Sequence, residues 1–228
     1  MDIIEAPSLN FDTRSPGTPI DILLLHYTGM ESAAAALARL CDPQARVSAH
    51  YTVDEDGTIY RHVPEAARAW HAGASYWAGA RDINARSIGI EIVNPGHEFG
   101  YRSFPSAQIG AVIHLSKEIV ARYGIPAARV LGHSDVAPAR KQDPGELFPW
   151  GRLALSGIGL WPQTRKAGLA VSFEDGLRAF GYGLRPAADV PAEAVITAFQ
   201  RHFRPARIDG IADEECDAIL AALLGSMA

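Results

Sequence analysis

Short runs of hydrophobic residues, separated by polar segments, occupy the N-terminal part of the chain. IDILLLH, residues 20–26, is almost continuously apolar and predicts a strand that is buried on both faces. SIGIEIVN, residues 87–94, and ARVLGH, residues 128–133, predict two further short strands. SAHYTVDEDGTIYRHV, residues 48–63, contains two β-rich runs that meet at an Asp-Gly pair, which is typical of a β-hairpin.

Helical patterns lie between these strands. The Ala- and Leu-rich segment from Glu31 to Leu40 predicts one helix. The segment from Pro105 to Tyr123 has apolar residues at helical spacing and is followed by Gly124, a common residue directly after a helix. Because strands and helices alternate without a strict βα repeat, the pattern predicts an α/β fold with a mixed central β-sheet flanked by helices.

The pattern changes near the C-terminus. GIGLWPQTRKAG, residues 157–168, is typical of a linker, and three short helical patterns follow it in residues 173–184, 191–203 and 213–224. We therefore predict a first domain over residues 1–160 and a small all-α domain over residues 168–228. The alternative is a helical cap that only packs on the first domain.

Composition limits the classes of partner. The 21 Lys and Arg residues are scattered, and the net charge is −5, so we do not expect a nucleic-acid partner. Cys41 and Cys216 are far apart in the sequence, so neither a disulfide framework nor a paired-cysteine metal site is predicted.

The N-terminal segment does not have the basic and apolar regions of a signal peptide, and no apolar run is long enough to span a bilayer. These features predict a cytoplasmic protein without a membrane span. A trimmed form of a periplasmic protein would have the same appearance.

Three of the predicted strands carry residues with acid-base or metal-binding chemistry. His26 and His133 end two of them, and Glu91 lies within SIGIEIV, opposite in direction to its Ile neighbours. A carboxylate on so apolar a strand must be paired, protonated, near a metal or on an exposed face. Taken singly, Glu91 fits a solvated strand face, and His26 fits a hydrogen-bonded core imidazole.

The loop VLGHSDVAPARKQDPG, residues 130–145, adds to this set. In an extended segment Lys141 and Asp143 project to the same side, and a Pro-Gly turn follows them. His26, His133 and Asp143 together form a three-ligand set for a divalent metal, the number that catalytic zinc uses. Two His and one carboxylate also describe non-haem iron sites, so the ligand types leave the metal open between zinc and iron.

Five segments in this order resemble the zinc-dependent type 2 N-acetylmuramoyl-L-alanine amidases, whose fold is shared with peptidoglycan recognition proteins. The segments are LLLHYTG, SAHYTVDEDGTIYRHV, AWHAG, SIGIEIVN and VLGHSDVAPARKQDPG, spread over roughly residues 20 to 150. The resemblance implies Zn²⁺ on His26, His133 and Asp143, with Glu91 and Lys141 as the catalytic pair.

Two positions depart from the phage members of this family. Asp143 stands where those members have Cys as the third ligand, and Ala49 stands where they have a catalytic Tyr. Both departures fit a bacterial branch that uses a carboxylate at the position of Glu91.

Further residues are candidates for substrate binding. By resemblance, Trp70 and His71 in AWHAG line the substrate groove. Arg81 is a potential bidentate donor to a peptide carboxylate, and Asn94 follows the strand that carries Glu91. His50 is expected to be a structural hydrogen-bonding residue near the site.

The resemblance implies cleavage of the amide bond between N-acetylmuramic acid and L-alanine in peptidoglycan or in (anhydro-)muropeptides, during cell-wall recycling or turnover. The expected partners are therefore peptidoglycan fragments. Residues 194–213 also resemble a small three-helix peptidoglycan-binding module. The alternatives are a non-catalytic peptidoglycan recognition module, whose members often lose a zinc ligand, and an iron oxygenase, against which the resemblance decides.

Overall fold

The computed structural model describes residues 3–162 and 168–227. Within these residues it contains eight β-strands. They are β1 Ile3–Glu5, β2 Phe11–Thr13, β3 Ile22–Tyr27, β4 Tyr51–Val53, β5 Ile59–Arg61, β6 Ala67–Ala69, β7 Ser87–Ile92 and β8 Val130–Gly132.

The same described residues form nine α-helices and two short 3₁₀ turns, at Pro43–Ala45 and Ala127–Arg129. The helices are α1 Ala33–Cys41, α2 Ile83–Arg86, α3 Gly96–Phe99, α4 Ser106–Tyr123, α5 His133–Val136, α6 Trp150–Leu155, α7 Phe173–Phe180, α8 Ala192–Phe203 and α9 Glu214–Gly225.

Six of the strands form a mixed sheet in the order β1-β5-β4-β7-β3-β8. β3 lies between β7 and β8 and is parallel to both, while β4 and β5 form the predicted antiparallel hairpin. A smaller antiparallel pair joins β2 to β6. The predicted α/β fold with a mixed, helix-flanked sheet is confirmed.

The two faces of the sheet bury different side chains because successive residues of a strand point in opposite directions. Leu23 and Leu25 of β3 belong to one hydrophobic core, together with the apolar residues of α4. Ile22 and Leu24 point to the other face and belong to a second core. β3 is therefore buried on both faces, as its continuous apolar run predicts.

The C-terminal helices supply the other side of this second core. Leu177 of α7, Phe199 of α8 and Leu220 of α9 are fully buried in the same cluster as Ile22 and Leu24. The three predicted helices are thus present, and their apolar faces pack on the sheet. The division into residues 1–160 and 168–228 stays a prediction, and positions 163–167 of the predicted linker, with Ala228, lie outside the described residues.

Short elements differ from the pattern-based expectation. β1, β2 and β6 were not predicted because a strand of three residues contains too few positions to show alternation. The last strand ends at Gly132, and His133 begins α5 instead of closing the strand. The Asp135 side chain accepts a hydrogen bond from the Gly132 backbone N–H at 2.7 Å, which starts the helix at this point.

None of the described helices is both long enough and apolar enough to cross a membrane.

If the sheet and the C-terminal helices share a core, weakening one should destabilise the other. Phe199→Ala is expected to lower the free energy of unfolding by about 3–5 kcal/mol, because it removes a fully buried ring from that core. Phe99→Ala is the matched control, since that side chain is 45% exposed, and it should cost much less. Urea unfolding followed by circular dichroism should show one transition in each protein, and a separate early transition in Phe199→Ala would indicate an independent C-terminal domain.

Candidate metal centre and active site

Three side chains from separate parts of the chain meet at the carboxyl end of β3. Nδ1 of His26 lies 3.0 Å from Nδ1 of His133 and 3.0 Å from Oδ2 of Asp143. Nδ1 of His133 lies 3.0 Å from the same carboxylate oxygen. All three side chains are buried, and their ligand atoms lie within 4.8 Å of one another. The residues predicted as metal ligands are thus brought together.

Backbone pairing explains why these residues meet. Leu25 in β3 is in register with Gly132 in β8, so His26 and His133 follow at the same edge of the sheet. Asp143 is held beside them because the backbone N–H of Ser134 donates to the carbonyl oxygen of Asp143 at 2.9 Å.

Hydrogen bonds behind the two histidines determine which ring nitrogens carry protons. Nε2 of His133 donates to the carbonyl oxygen of Ala72 at 3.0 Å, because a carbonyl only accepts. Nδ1 of neutral His133 therefore carries a lone pair, directed at His26 and Asp143.

The corresponding chain behind His26 contains His71. Nε2 of His26 and Nδ1 of His71 are 3.0 Å apart, and Nε2 of His71 is 3.3 Å from the Ser87 hydroxyl. The Ser87 hydroxyl itself donates to the carbonyl oxygen of Ile83 at 2.7 Å. If each N–H donates toward Ser87, the chain ends at a carbonyl acceptor, and Nδ1 of His26 is left with a lone pair.

This donor set fits a divalent cation. Two imidazole lone pairs and a carboxylate oxygen point at one another, and in these tautomers none of the three offers a hydrogen to the others. Burial and the neighbouring His133 lower the pKa of His26 to about 4, which favours the neutral ring that binds metals. The donor types suit zinc or iron equally.

Glu91 lies beside this cluster because parallel pairing puts it opposite His26. Among the described residues, Oε2 of Glu91 is shielded from solvent and has no hydrogen-bond partner. Burial and the nearby Asp143 carboxylate raise the pKa of Glu91 well above its ordinary value, and Lys141 partly offsets this rise. A carboxyl group in this setting is suited to proton transfer near neutral pH.

Gly89, on the same strand as Glu91, leaves space for His71, which contacts His26. A Cβ atom at Gly89 would lie 2.6 Å from Nδ1 of His71, which is closer than a Cβ atom approaches another heavy atom. Gly89 therefore lets the imidazole of His71 lie directly against β7, where it reaches His26.

A cavity of about 390 Å³ opens beside the cluster and the Glu91 carboxylate. Lys141 lines it together with Glu91, and the role of the two residues as a catalytic pair stays a prediction. Its wall also includes Tyr27, Arg39, His97 and Arg140.

The predicted substrate-binding residues have mostly internal contacts. His71 borders the cavity, but both of its ring nitrogens face His26 and Ser87. Trp70 donates its indole N–H to Asp12 at 2.7 Å, and the Arg81 guanidinium donates to the carbonyl oxygen of Ala187.

Asn94 is also used internally. Its amide donates to the carbonyl oxygen of Arg102 at 2.7 Å and accepts from the backbone N–H of Gly96 at 3.0 Å. Of the four predicted substrate-binding residues, His71 lines the cavity. Trp70, Arg81 and Asn94 are not among the described residues that line it. Their contact with substrate stays a prediction. His50 is buried and accepts the Gly89 backbone N–H at 2.9 Å, a structural contact of the kind expected for it.

Two cavity residues were missed by sequence reasoning. His97 stacks on Tyr101 with ring centroids 4.3 Å apart, and its Nε2 donates to the Glu146 carboxylate at 3.2 Å. Its Nδ1 is 3.0 Å from the hydroxyl of Tyr27. His97 is in the one-turn helix α3, where no periodic pattern singles it out, whereas Tyr27 directly follows His26 and could have been proposed as a neighbour.

Comparisons with known proteins show the family to which the chain is similar. A family model described as N-acetylmuramoyl-L-alanine amidase matches residues 16–146. The amidase AmiD of Escherichia coli K12 is 41% identical over 97% of this chain and 90% of the relative. The 1,6-anhydro-N-acetylmuramyl-L-alanine amidase AmpD of the same organism is 33% identical over 64% of this chain and 87% of the relative.

Solved structures show the same similarity. The E. coli AmiD complex with anhydro-N-acetylmuramic acid-L-Ala-D-γ-Glu-L-Lys superposes with a TM-score of 0.81 at 39% identity, over 93% of this chain and 92% of that one. Pseudomonas aeruginosa AmpDh3 in complex with anhydromuramic pentapeptide gives a TM-score of 0.83 at 33% identity, over 94% and 95% of the two chains.

The matched segment 16–146 contains the three candidate ligands and both candidate catalytic residues. The resemblance inferred from five short motifs is thereby confirmed, and so is the class of enzyme that it implied. This chain belongs to the N-acetylmuramoyl-L-alanine amidase family.

Proposed function

We propose that this protein hydrolyses the amide bond between N-acetylmuramic acid and L-alanine in soluble muropeptides, including their 1,6-anhydro forms, with a zinc ion in its active site. The observation that carries this proposal is the convergence of three buried ligand atoms next to Glu91 in one cavity. The choice of substrate is supported by the anhydro-muramyl peptides bound in the solved structures of similar amidases.

His26, His133 and Asp143 are the proposed metal ligands. Three protein ligands are typical of catalytic zinc sites, whereas structural zinc sites normally have four. When bound, zinc supplies Lewis acidity and lowers the pKa of water to about 7. Similarity to the amidases, together with these ligands, favours zinc over iron.

Glu91 is the proposed proton carrier. Its unpartnered Oε2 can accept a proton from the water that attacks the carbonyl carbon of the muramic acid lactyl group. It can then return that proton to the nitrogen of L-alanine as the C–N bond breaks, so that a carboxylic acid and a free amine leave. The raised pKa of Glu91 suits both steps because the group must accept and release a proton in turn.

Lys141 is the proposed stabiliser of negative charge on the carbonyl oxygen. It lines the same cavity as Glu91, and a cation held there before reaction favours the tetrahedral, negatively charged state. Arg140, its neighbour, donates to the carbonyl oxygens of Ala72 and Ala74 at 2.7 and 2.9 Å. These bonds join the segment that carries Lys141 to the segment of Ala72, whose carbonyl oxygen accepts the Nε2–H of His133.

The alternative of a non-catalytic recognition module has less support. Such a module needs a groove but has no need for three converging ligands or for a carboxylate of raised pKa beside them. This chain has both features at one site.

Two further predictions remain proposals. The first is peptidoglycan binding by residues 168–228. The C-terminal helices share a hydrophobic core with the sheet, which supports a role as a packing cap, either alone or together with peptidoglycan binding. A cytoplasmic location, with a role in recycling, is the other, and fractionation of cells that express the native protein is its test.

Incubation of the zinc-loaded protein with defined substrates tests the reaction. Anhydro-muropeptides are expected to give a free peptide that begins with L-alanine and the intact anhydro-sugar, as resolved by mass spectrometry. Intact sacculi should release peptides more slowly per enzyme molecule, because a soluble fragment enters a cavity of about 390 Å³ more easily than a cross-linked polymer. Cleavage within the peptide or within the glycan would contradict the proposal.

Metal content tests the ligand set. The purified wild-type protein should bind about one zinc per chain, and His133→Ala and Asp143→Ala should lose both zinc and activity, because each removes one of three ligands. His114→Ala is the matched control, since this histidine is exposed on the surface of α4, and it should keep both. Elemental analysis gives the metal content. Full activity of a protein shown to be free of metal would refute the assignment.

Replacement of Glu91 separates proton transfer from metal binding. Glu91→Gln preserves the shape of the side chain but cannot carry the proton, so turnover should fall by roughly 10²- to 10⁴-fold while zinc content stays near that of the wild type. Glu118→Gln, on the exposed face of α4, controls for the loss of one carboxylate. Wild-type turnover in Glu91→Gln would remove Glu91 from the mechanism.

A further inference from the structure

Asp135 is a buried carboxylate two residues beyond His133. Its side chain is in contact with three donors and is almost completely shielded from solvent, with 1% of the residue exposed. Oδ2 accepts the backbone N–H of Gly132 at 2.7 Å and Nδ1–H of His202 at 2.7 Å. Oδ1 accepts the hydroxyl of Tyr182 at 2.6 Å. Two of its three partners therefore come from the C-terminal helical segment.

The turn that Asp135 holds carries the metal ligand His133. The bond from Gly132 fixes the residue directly before His133, and the next residue, Ser134, donates to the carbonyl oxygen of Asp143. One short segment thus determines where two of the three ligands point. A Cβ atom at Gly132 would lie 2.8 Å from Pro144 and 3.2 Å from Trp150, so the segment has little room to shift.

Side-chain packing holds the two C-terminal donors in place. The ring of His202, in α8, stacks on Trp150 with centroids 3.7 Å apart and on Phe203 with centroids 3.8 Å apart. Tyr182 follows α7 and packs edge-on against Trp77 at 4.8 Å. Both residues are buried, at 3% and 2% exposure, so their donors are directed at Asp135 by surroundings that allow few other orientations.

A buried carboxylate needs these donors. Leaving one of its hydrogen-bonding positions unsatisfied costs about 1–3 kcal/mol, more for a charged group, and the molecule relaxes to recover part of that loss. Here, relaxation means rotation of the Asp135 side chain away from Gly132, or entry of water into the turn. Either change alters the direction of His133, because the Gly132 bond defines the start of α5.

We infer that Tyr182 and His202 are positioning residues for the metal ligand His133, acting through Asp135. The C-terminal helices then have a role in the active site itself, as a wall that orients one ligand of the proposed zinc ion. This inference rests on the proposed function, because it presumes that His133 binds a metal. Groups that hydrogen-bond a metal ligand directly typically contribute about 10- to 100-fold to metal affinity, which sets the upper limit expected for residues that act through Asp135.

The test measures zinc affinity by competition with a chromophoric chelator. Tyr182→Phe keeps the ring and removes only the hydroxyl, and it should raise the zinc Kd roughly 10-fold. Addition of His202→Phe, which keeps a ring to stack on Trp150 but has no donor, should raise Kd to roughly 100-fold above wild type. His202→Asn provides a donor close to the position of Nδ1 and should restore most of the affinity that His202→Phe loses.

Tyr51→Phe is the matched control for a general loss of stability. The Tyr51 hydroxyl also donates to a carboxylate, Oε1 of Glu65 at 2.8 Å, but its ring belongs to the opposite core. This variant should lower the free energy of unfolding without changing the zinc Kd. The visible spectrum of the Co²⁺-substituted proteins provides a second readout, and it should change in Tyr182→Phe but not in Tyr51→Phe.

The outcomes separate this inference from the proposed function. A wild-type protein that binds no zinc would overturn both. If the wild type binds zinc and cleaves muropeptides, an unchanged Kd in folded Tyr182→Phe overturns the positioning role alone. An equal rise in Kd for Tyr182→Phe and Tyr51→Phe does so too, because it assigns the effect to stability. Tyr182→Phe is sufficient for this decision if the double variant does not fold.

Discussion

Parallel pairing of β3 with β7 and β8 is the constraint on which the rest of the site depends. It puts Glu91 opposite His26 and ends β8 beside Leu25, so that His133 emerges at the same edge. The central position of β3, buried on both faces, makes this register hard to change, because a shift of one residue would exchange the side chains of the two cores. The same register therefore sets both the hydrophobic packing of the strand and the positions of the proposed catalytic and ligand residues.

Around this edge of the sheet, hydrogen bonds link buried polar side chains in series, and each series ends at a backbone carbonyl oxygen. The chain from His26 through His71 and Ser87 ends at Ile83, and His133 is bonded directly to the carbonyl oxygen of Ala72. When each N–H in these chains donates toward the carbonyl end, the imidazoles of His26 and His133 each direct a lone pair at Asp143. Glu91 differs from these groups because its Oε2 has no partner among the described residues, an energetic cost that is consistent with the proposed role of Glu91 in proton transfer.

The C-terminal helical segment contributes both to the hydrophobic core and to the hydrogen bonds behind the proposed metal ligand His133. Their apolar residues complete the core on one face of the sheet, while Tyr182 and His202 reach Asp135 behind His133. A segment that packs in this way differs from a module joined only by a linker, since its loss would expose part of the core and leave a buried carboxylate short of two donors. The similarity to AmiD covers 97% of this chain, so the amidase family includes a member that is similar along nearly the same length, C-terminal helices included.

Local pattern in the sequence determined five of the described strands (β3, β4, β5, β7 and β8), the hairpin, the longer helices and the family. Hydrophobic alternation and short motifs are properties of neighbouring residues, whereas the three-residue strands β1, β2 and β6 are too short to show them. Local pattern also identified His26, His133, Asp143, Glu91 and Lys141 as candidates, since each lies in such a motif. The contacts of Trp70, Arg81 and Asn94, and the orientation of His71 behind His26, were decided only by tertiary structure. His202 carried no signal in the sequence because its partner Asp135 is 67 positions away, and a hydrogen bond between such distant residues exists only once the sheet and the helices have packed together.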